Sequence, residues 1–144
     1  MFVGQSKHTI TKDGRLSLPS KMRDIISRKY ETDEVYIVLL PDNILCIYPE
    51  SEFEKMVEGL SEKHGASLAS LTQLAREICS NADNSKIDSS GRIVIPPEMK
   101  DAAEIDQEVL VLGTKDHIEL WNPERWKYYK KDHFADVMKA FQQS

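Results

Sequence analysis

The chain has 144 residues, 40% hydrophobic and 30% charged, the profile of an ordinary soluble globular protein long enough to bury one real core. No apolar run approaches the roughly 18 residues of a membrane span, and the start "MFVGQSKHTI" lacks the apolar segment of a secretory signal. The net charge of −5 would disfavour a nucleic-acid partner if it were spread evenly, but residues 1–29 hold seven cations and two acids, and the remainder holds 12 cations and 22 acids. A basic patch on an acidic body can still engage a polyanion, so the total charge does not exclude one.

In chain order, "KHTIT" and "RLSLP" alternate polar and apolar residues around Asp13-Gly14, which predicts a β-hairpin. Pro19 ends that pairing and opens a short helical turn, "SKMRDII". "EVYIVLL" and "ILCIY" form a second predicted hairpin across Pro41-Asp42-Asn43. An amphipathic helix follows, with Ser51 and Glu54 as a capping box and Phe53, Met56, Val57 and Leu60 on one face. After the Gly65 break, "SLASLTQLAREI" places Leu68, Leu71, Leu74, Ala75 and Ile78 at helical spacing and predicts a linking helix.

The pattern then returns. "SKIDS" and "RIVIP" flank Ser90-Gly91, and Pro96 opens "PEMKDAA". "EVLVLG" turns at Thr114-Lys115-Asp116 into "HIELW". Asn122 is a good helix N-cap with Pro123 at the first helical position, followed by an apolar face of Trp126, Tyr129, Phe134, Val137, Met138 and Phe141. "KDGRLSLPSKMRD" and "SSGRIVIPPEMKD" share five of thirteen residues at a shift of 77, and the repeated unit spans about 50 residues. The organisation is a first repeat (1–64), a linking helix (65–80) and a second repeat with a terminal helix (81–144). Four short strands with one apolar face are unstable alone, so the two repeats should pack together as one pseudo-twofold β-barrel or sandwich in an α+β, mainly β fold.

The chemistry concentrates at the repeated turn. Asp88 and Arg92, four residues apart across a tight turn, can face each other, the carboxylate gripping the guanidinium and aiming its remaining N–H donors outward. A pre-aimed arginine suits phosphate contact or guanine reading in the major groove, whereas the plainer reading is a structural ion pair worth little energy. In the first repeat Arg15 is kept but Thr11 stands where the acid would be, which predicts a less constrained arginine in more basic surroundings. Gly14 and Gly91 supply the turns, and Lys12, Lys21, Arg23 and Lys86 are candidate phosphate partners. The second repeat is acidic around its motif, so the first is expected to anchor nucleic acid. His8, His64, His117 and His133 show no ligand spacing, and Cys46 and Cys79 read as reduced thiols without metal partners. Ser17, Ser20 and Lys21 lack any triad or oxyanion pattern, so no enzymatic activity is expected.

The opening "MFVG", "GRLSLPSKMR", its second copy "DSSGRIVIPPEMK" and the trailing "LW" plus helix together resemble the MraZ family, whose chains carry two SpoVT-AbrB-type units. The resemblance implies a swapped-hairpin β-barrel with flanking helices and ring-shaped homo-oligomers in the cytoplasm and on the nucleoid. It further implies a regulator without cofactor, metal or small-molecule substrate, binding double-stranded DNA at direct repeats upstream of the cell division and cell wall gene cluster. The family motif, Asp-x-x-x-Arg, is complete at Asp88 and Arg92 and lacks its acid at Thr11 before Arg15.

Overall fold

The computed structural model describes residues 1–143 as eight strands and six α-helices, apart from short 3-10 turns. The first repeat contributes β1 (Gln5–Thr9), β2 (Arg15–Ser17), α1 (Ser20–Arg28), β3 (Glu34–Leu40), β4 (Ile44–Pro49) and α2 (Glu50–Gly59). After the linking helix α3 (Leu68–Asn81), the second repeat supplies β5 (Asp83–Lys86), β6 (Arg92–Val94), α4 (Pro97–Ala102), β7 (Glu108–Thr114) and β8 (His117–Trp121). Two helices close the chain, α5 (Pro123–Asp132) and α6 (Phe134–Gln142).

The strands form a six-stranded antiparallel sheet in the order β1-β7-β8-β4-β3-β5 and a separate two-stranded ribbon, β2-β6. Exchanging the repeats reverses the sheet order onto itself, so a pseudo-twofold axis runs between β4 and β8 and between β2 and β6. The hairpins expected around Asp13-Gly14 and Ser90-Gly91 do not form within their own repeats. Each turn closes locally, with the Thr11 N–H donating to the Arg15 carbonyl and the Asp88 N–H to the Arg92 carbonyl. The arms then part: β1 pairs with β7, β5 pairs with β3, and the two outgoing arms pair with each other. Arms of three residues ended by Pro19 and Pro96 are too short to hold an isolated hairpin, whereas cross-repeat pairing sends Leu16, Leu18, Ile93 and Ile95 into one shared core.

Strand alternation sorts the side chains. Val35, Ile37, Leu45, Ile47, Val109, Val111, Ile118 and Leu120 face the ribbon and the short helices α1 and α4 in a single cluster that spans both repeats. The opposite sheet face is covered unequally. Val38, Cys46 and Tyr48 lie beneath Phe53, Leu60 and Ile78 from α2, the 3-10 turn after it and α3. Leu110, Leu112 and Trp121 lie beneath Trp126 and Tyr129 of α5.

Local expectations divide in the same way. Asn122 caps α5 by accepting from the Glu124 and Arg125 N–H groups. The Ser51–Glu54 capping box is absent: Pro49 stands at the N-cap of α2, with no side-chain cap. The last helical pattern splits at His133, leaving Phe134, Val137, Met138 and Phe141 of α6 exposed instead of packed. His117 also departs from expectation, because folding brings its ring beside Cys46 and Glu119.

The N-terminus completes the core. The Phe2 N–H donates to the Lys115 carbonyl at 2.8 Å, the return bond is 2.9 Å, and the Phe2 ring is fully buried against Tyr30. Gly113 permits this crossing, since a Cβ there would lie 2.3 Å from the Val3 backbone nitrogen. Phe2→Ala is expected to cost about 3–5 kcal/mol, read as a lower midpoint in urea denaturation.

Candidate nucleic-acid interface

The outward face of the ribbon follows from its register. Leu16 pairs with Ile93 and both point into the core, so Arg15, Ser17, Arg92 and Val94 point away from it. Ser17 lies opposite Arg92 and Arg15 opposite Val94, which sets the two arginines diagonally, roughly 7 Å apart along the strands. Sequence spacing suggested two separate hairpin tips. Cross-repeat pairing instead gathers both arginines onto one surface, each beside its glycine turn.

The second turn is built by Asp88. One carboxylate oxygen accepts the backbone N–H groups of Ser90 and Arg92 at 2.9 Å each, and the other accepts the Arg92 Nε–H at 3.2 Å. The Arg92 backbone N–H, then that of Ser90, and the guanidinium itself hold the Asp88 carboxyl below its ordinary range. Because Nε is the engaged atom, the outer Nη edge of Arg92 remains for a ligand.

The first turn reaches a similar result with different residues. The Thr11 hydroxyl accepts the Arg15 N–H at 3.0 Å, doing the backbone work of Asp88, while Asp13 accepts from Arg15 Nη1 at 3.2 Å. Thr11 and Asp13 thus supply two of the three bonds that Asp88 makes alone, the one to the Ser90 N–H having no counterpart among the described residues of the first turn. Both arginine side chains are 40% exposed, so they are equally presented to a partner.

Gly14 and Gly91 are buried with φ near +77° and +79°, a region costly for residues with a Cβ. They touch different neighbours. A Cβ on Gly14 would sit 3.0 Å from the Ile95 carbonyl oxygen, whereas one on Gly91 would sit 2.2 Å from Arg23 Nη1. Arg23, expected among the phosphate partners, lies half-buried across the second turn with its Nε–H donating to the Leu18 carbonyl at 3.1 Å. It braces one repeat against the other.

Lys12 on the first turn and Lys21 at the start of α1 are exposed, and both precede or follow Arg15 closely. Lys86 is drawn to Asp33 at 3.6 Å. It lines a cleft of about 570 Å³ together with Arg23, Asp24, Asp33 and Asp88. Acids outnumber cations there, so that cleft is a poor seat for phosphate.

The pairing of Asp13 with Arg15 and the bracing role of Arg23 were not found in the sequence. The first had a usable signal, an acid two residues from the arginine. The second arises only when the repeats interlock.

A family model described as "MraZ protein, putative antitoxin-like" matches residues 1–74 and 78–143. A protein of Finegoldia magna named "Transcriptional regulator MraZ" is 36% identical, covering 92% of this chain and 88% of that protein. The protein of the same name in Lachnoclostridium phytofermentans is 33% identical over 98% of this chain and 97% of its own. That of Neisseria meningitidis is 34% identical over 88% and 83% respectively.

Two outcomes test the turn geometry. By carboxyl NMR, Asp88 should titrate below its ordinary value of 3.8, and Arg92→Ala should leave much of the depression because the backbone N–H donors persist. Gly91→Ala should destabilise the protein, and in an Arg23→Ala background its cost should fall toward the left-handed backbone penalty of about 1–2 kcal/mol, measured as a double-mutant cycle.

Proposed function

The chain belongs to the MraZ family, and from that premise we propose that it is a DNA-binding transcriptional regulator without enzymatic activity. The observation that supports this most is the placing of Arg15 and Arg92 on one outward ribbon face, each held by an acid. A two-stranded ribbon fits the major groove, and an arginine with a free edge can read guanine or hold phosphate. In this reading the sheet and ribbon belong to one swapped-hairpin barrel made by the two repeats joined through residues 65–80. The ribbon carries Arg15, Arg92 and the turn glycines Gly14 and Gly91 to the DNA. Lys12 and Lys21 add phosphate contacts and Arg23 supports from beneath, while Lys86, drawn to Asp33, contributes least.

The direct repeats upstream of the cell division and cell wall gene cluster are the proposed operator, and the protein works in the cytoplasm on the nucleoid. A ring of identical chains presents several ribbons, and adjacent subunits engage successive DNA repeats. Linked sites raise avidity by orders of magnitude without stronger single contacts, which lets a chain of net charge −5 hold DNA through modest patches. A second reading takes the ring itself as the function, a protein-assembly module. The exposed apolar residues of α6 favour that reading, because such a face is suited to protein contact.

Selection of random DNA by the purified protein tests the proposal. A spaced repeat should be enriched; failure to enrich one overturns the regulator reading, and binding no better than to competitor DNA favours the assembly module. Arg15→Ala and Arg92→Ala should each lose roughly 1–3 kcal/mol of affinity per site, with Arg15→Ala the greater because Lys12 and Lys21 surround it. Lys12→Ala should lower the slope of log affinity against log salt by about one.

A further inference from the structure

The sheet face turned away from the ribbon holds a side-chain cluster that DNA binding does not use. Cys46 on β4 and Glu119 on β8 are register partners across the pseudo-twofold axis, and His117 lies two residues before Glu119 on the same side of β8. The Cys46 sulfur, a His117 ring nitrogen and a Glu119 carboxylate oxygen all lie within 4.8 Å of one another. Cys46 is fully buried, while the side chains of His117 and Glu119 are 12% and 17% exposed.

The surroundings orient two of the three groups, while the Cys46 thiol donates to the Ile44 carbonyl at 3.7 Å. His117 Nδ1 is bound to the Asp116 carboxylate at 2.6 Å, which fixes the ring and directs Nε2 at Glu119 Oε2, 2.8 Å away. The other Glu119 oxygen accepts the Trp121 indole N–H at 3.0 Å, so that carboxylate is held as well. The Tyr48 ring stacks on His117 with centroids 4.6 Å apart, preventing the imidazole from turning away. A carboxylate behind a ligating histidine and a hydrogen bond behind a ligating carboxylate are the outer supports that orient metal ligands.

We propose that Cys46 Sγ, His117 Nε2 and Glu119 Oε2 form a binding site for a divalent cation of the zinc class, with Asp116 and Trp121 as positioning residues. One thiolate, one imidazole and one carboxylate suit a borderline metal such as Zn²⁺ or Co²⁺, and not Mg²⁺ or Ca²⁺, which take oxygen ligands. Bonds of about 2.0–2.3 Å to a tetrahedral ion put its ligand atoms roughly 3.3–3.6 Å apart, so the present cluster needs only small side-chain movements. The ion replaces the Cys46 thiol proton and the proton between Nε2 and Glu119, and both leave to solvent. The fourth position is left to a water molecule. Once bound, the ion ties β4 of one repeat to β8 of the other.

The test uses the full chain, stripped with a chelator and titrated with Co²⁺, then with Zn²⁺ in competition. One equivalent of Co²⁺ should give a thiolate charge-transfer band and a tetrahedral ligand-field spectrum, and one equivalent of Zn²⁺ should displace it and raise the Tm. Cys46→Ala should abolish the band, while Cys79→Ser, which changes the exposed second thiol, should retain it. Glu119→Gln should weaken binding, and Asp116→Asn should weaken it by about 10–100-fold while leaving the band's character unchanged. These two near-isosteric variants decide the matter if Cys46→Ala does not fold. The proposal is overturned if the wild type binds no stoichiometric Co²⁺, if the band follows Cys79, or if Glu119→Gln and Asp116→Asn bind as the wild type does.

Discussion

The fold depends on two turns, each pinned by a buried glycine, at which the chain leaves its own repeat. The Gly14 carbonyl accepts the Ile95 N–H at 2.8 Å, and the Gly91 carbonyl accepts the Leu18 N–H at 3.1 Å. Buried backbone groups must find partners, and the carbonyls of these two glycines find theirs in the other repeat. Left-handed backbone at the glycines, pairing of the ribbon and burial of Leu16 and Ile93 are therefore one condition, met together or not at all. The same condition fixes the arginines, because a one-residue slip of the ribbon would carry Arg15 and Arg92 into the core.

That dependence explains which features were legible in the sequence. β3, β7 and β8 occupy the stretches "EVYIVLL", "EVLVLGT" and "HIELW", because alternation and turn chemistry are local signals that the sheet merely uses. The candidate site was legible as residues: a doubled glycine-arginine turn marks itself by repetition. Its layout was not legible, since a three-residue arm carries no information about which other arm it will join. Cys46 and Glu119 show the same limit. They occupy equivalent places in the two repeats, and only the pseudo-twofold axis makes them neighbours.

The repeats have kept a common core and diverged outside it. Their ribbon arms bury an equivalent pair of apolar residues, yet one outer face is roofed by α2 and α3 and the other by α5 alone. α6 continues past that roof with four large apolar residues facing outward. The turn shows the same freedom on a smaller scale. Asp88 cinches backbone and guanidinium with one side chain, while Thr11 and Asp13 share the task. A position without the aspartate can keep the arginine's backbone bond and ion pair if a neighbour supplies the charge.

The exchange of strands also has a consequence for synthesis. β1 has its sheet partner in residues 108–114, and β2 has its partner in residues 92–94. A ribosome that has released only the first repeat has therefore released two strands with no one to pair with, a basic leading segment, and half of a core. Only the local β3-β4 hairpin, with α2 behind it, can settle early. For the time it takes to make the second repeat, the nascent chain shows open edges that a neighbouring nascent chain could fill in place of its own C-terminal half. The distance along the chain between the two halves of the ribbon thus sets a race between completing one molecule and entangling two.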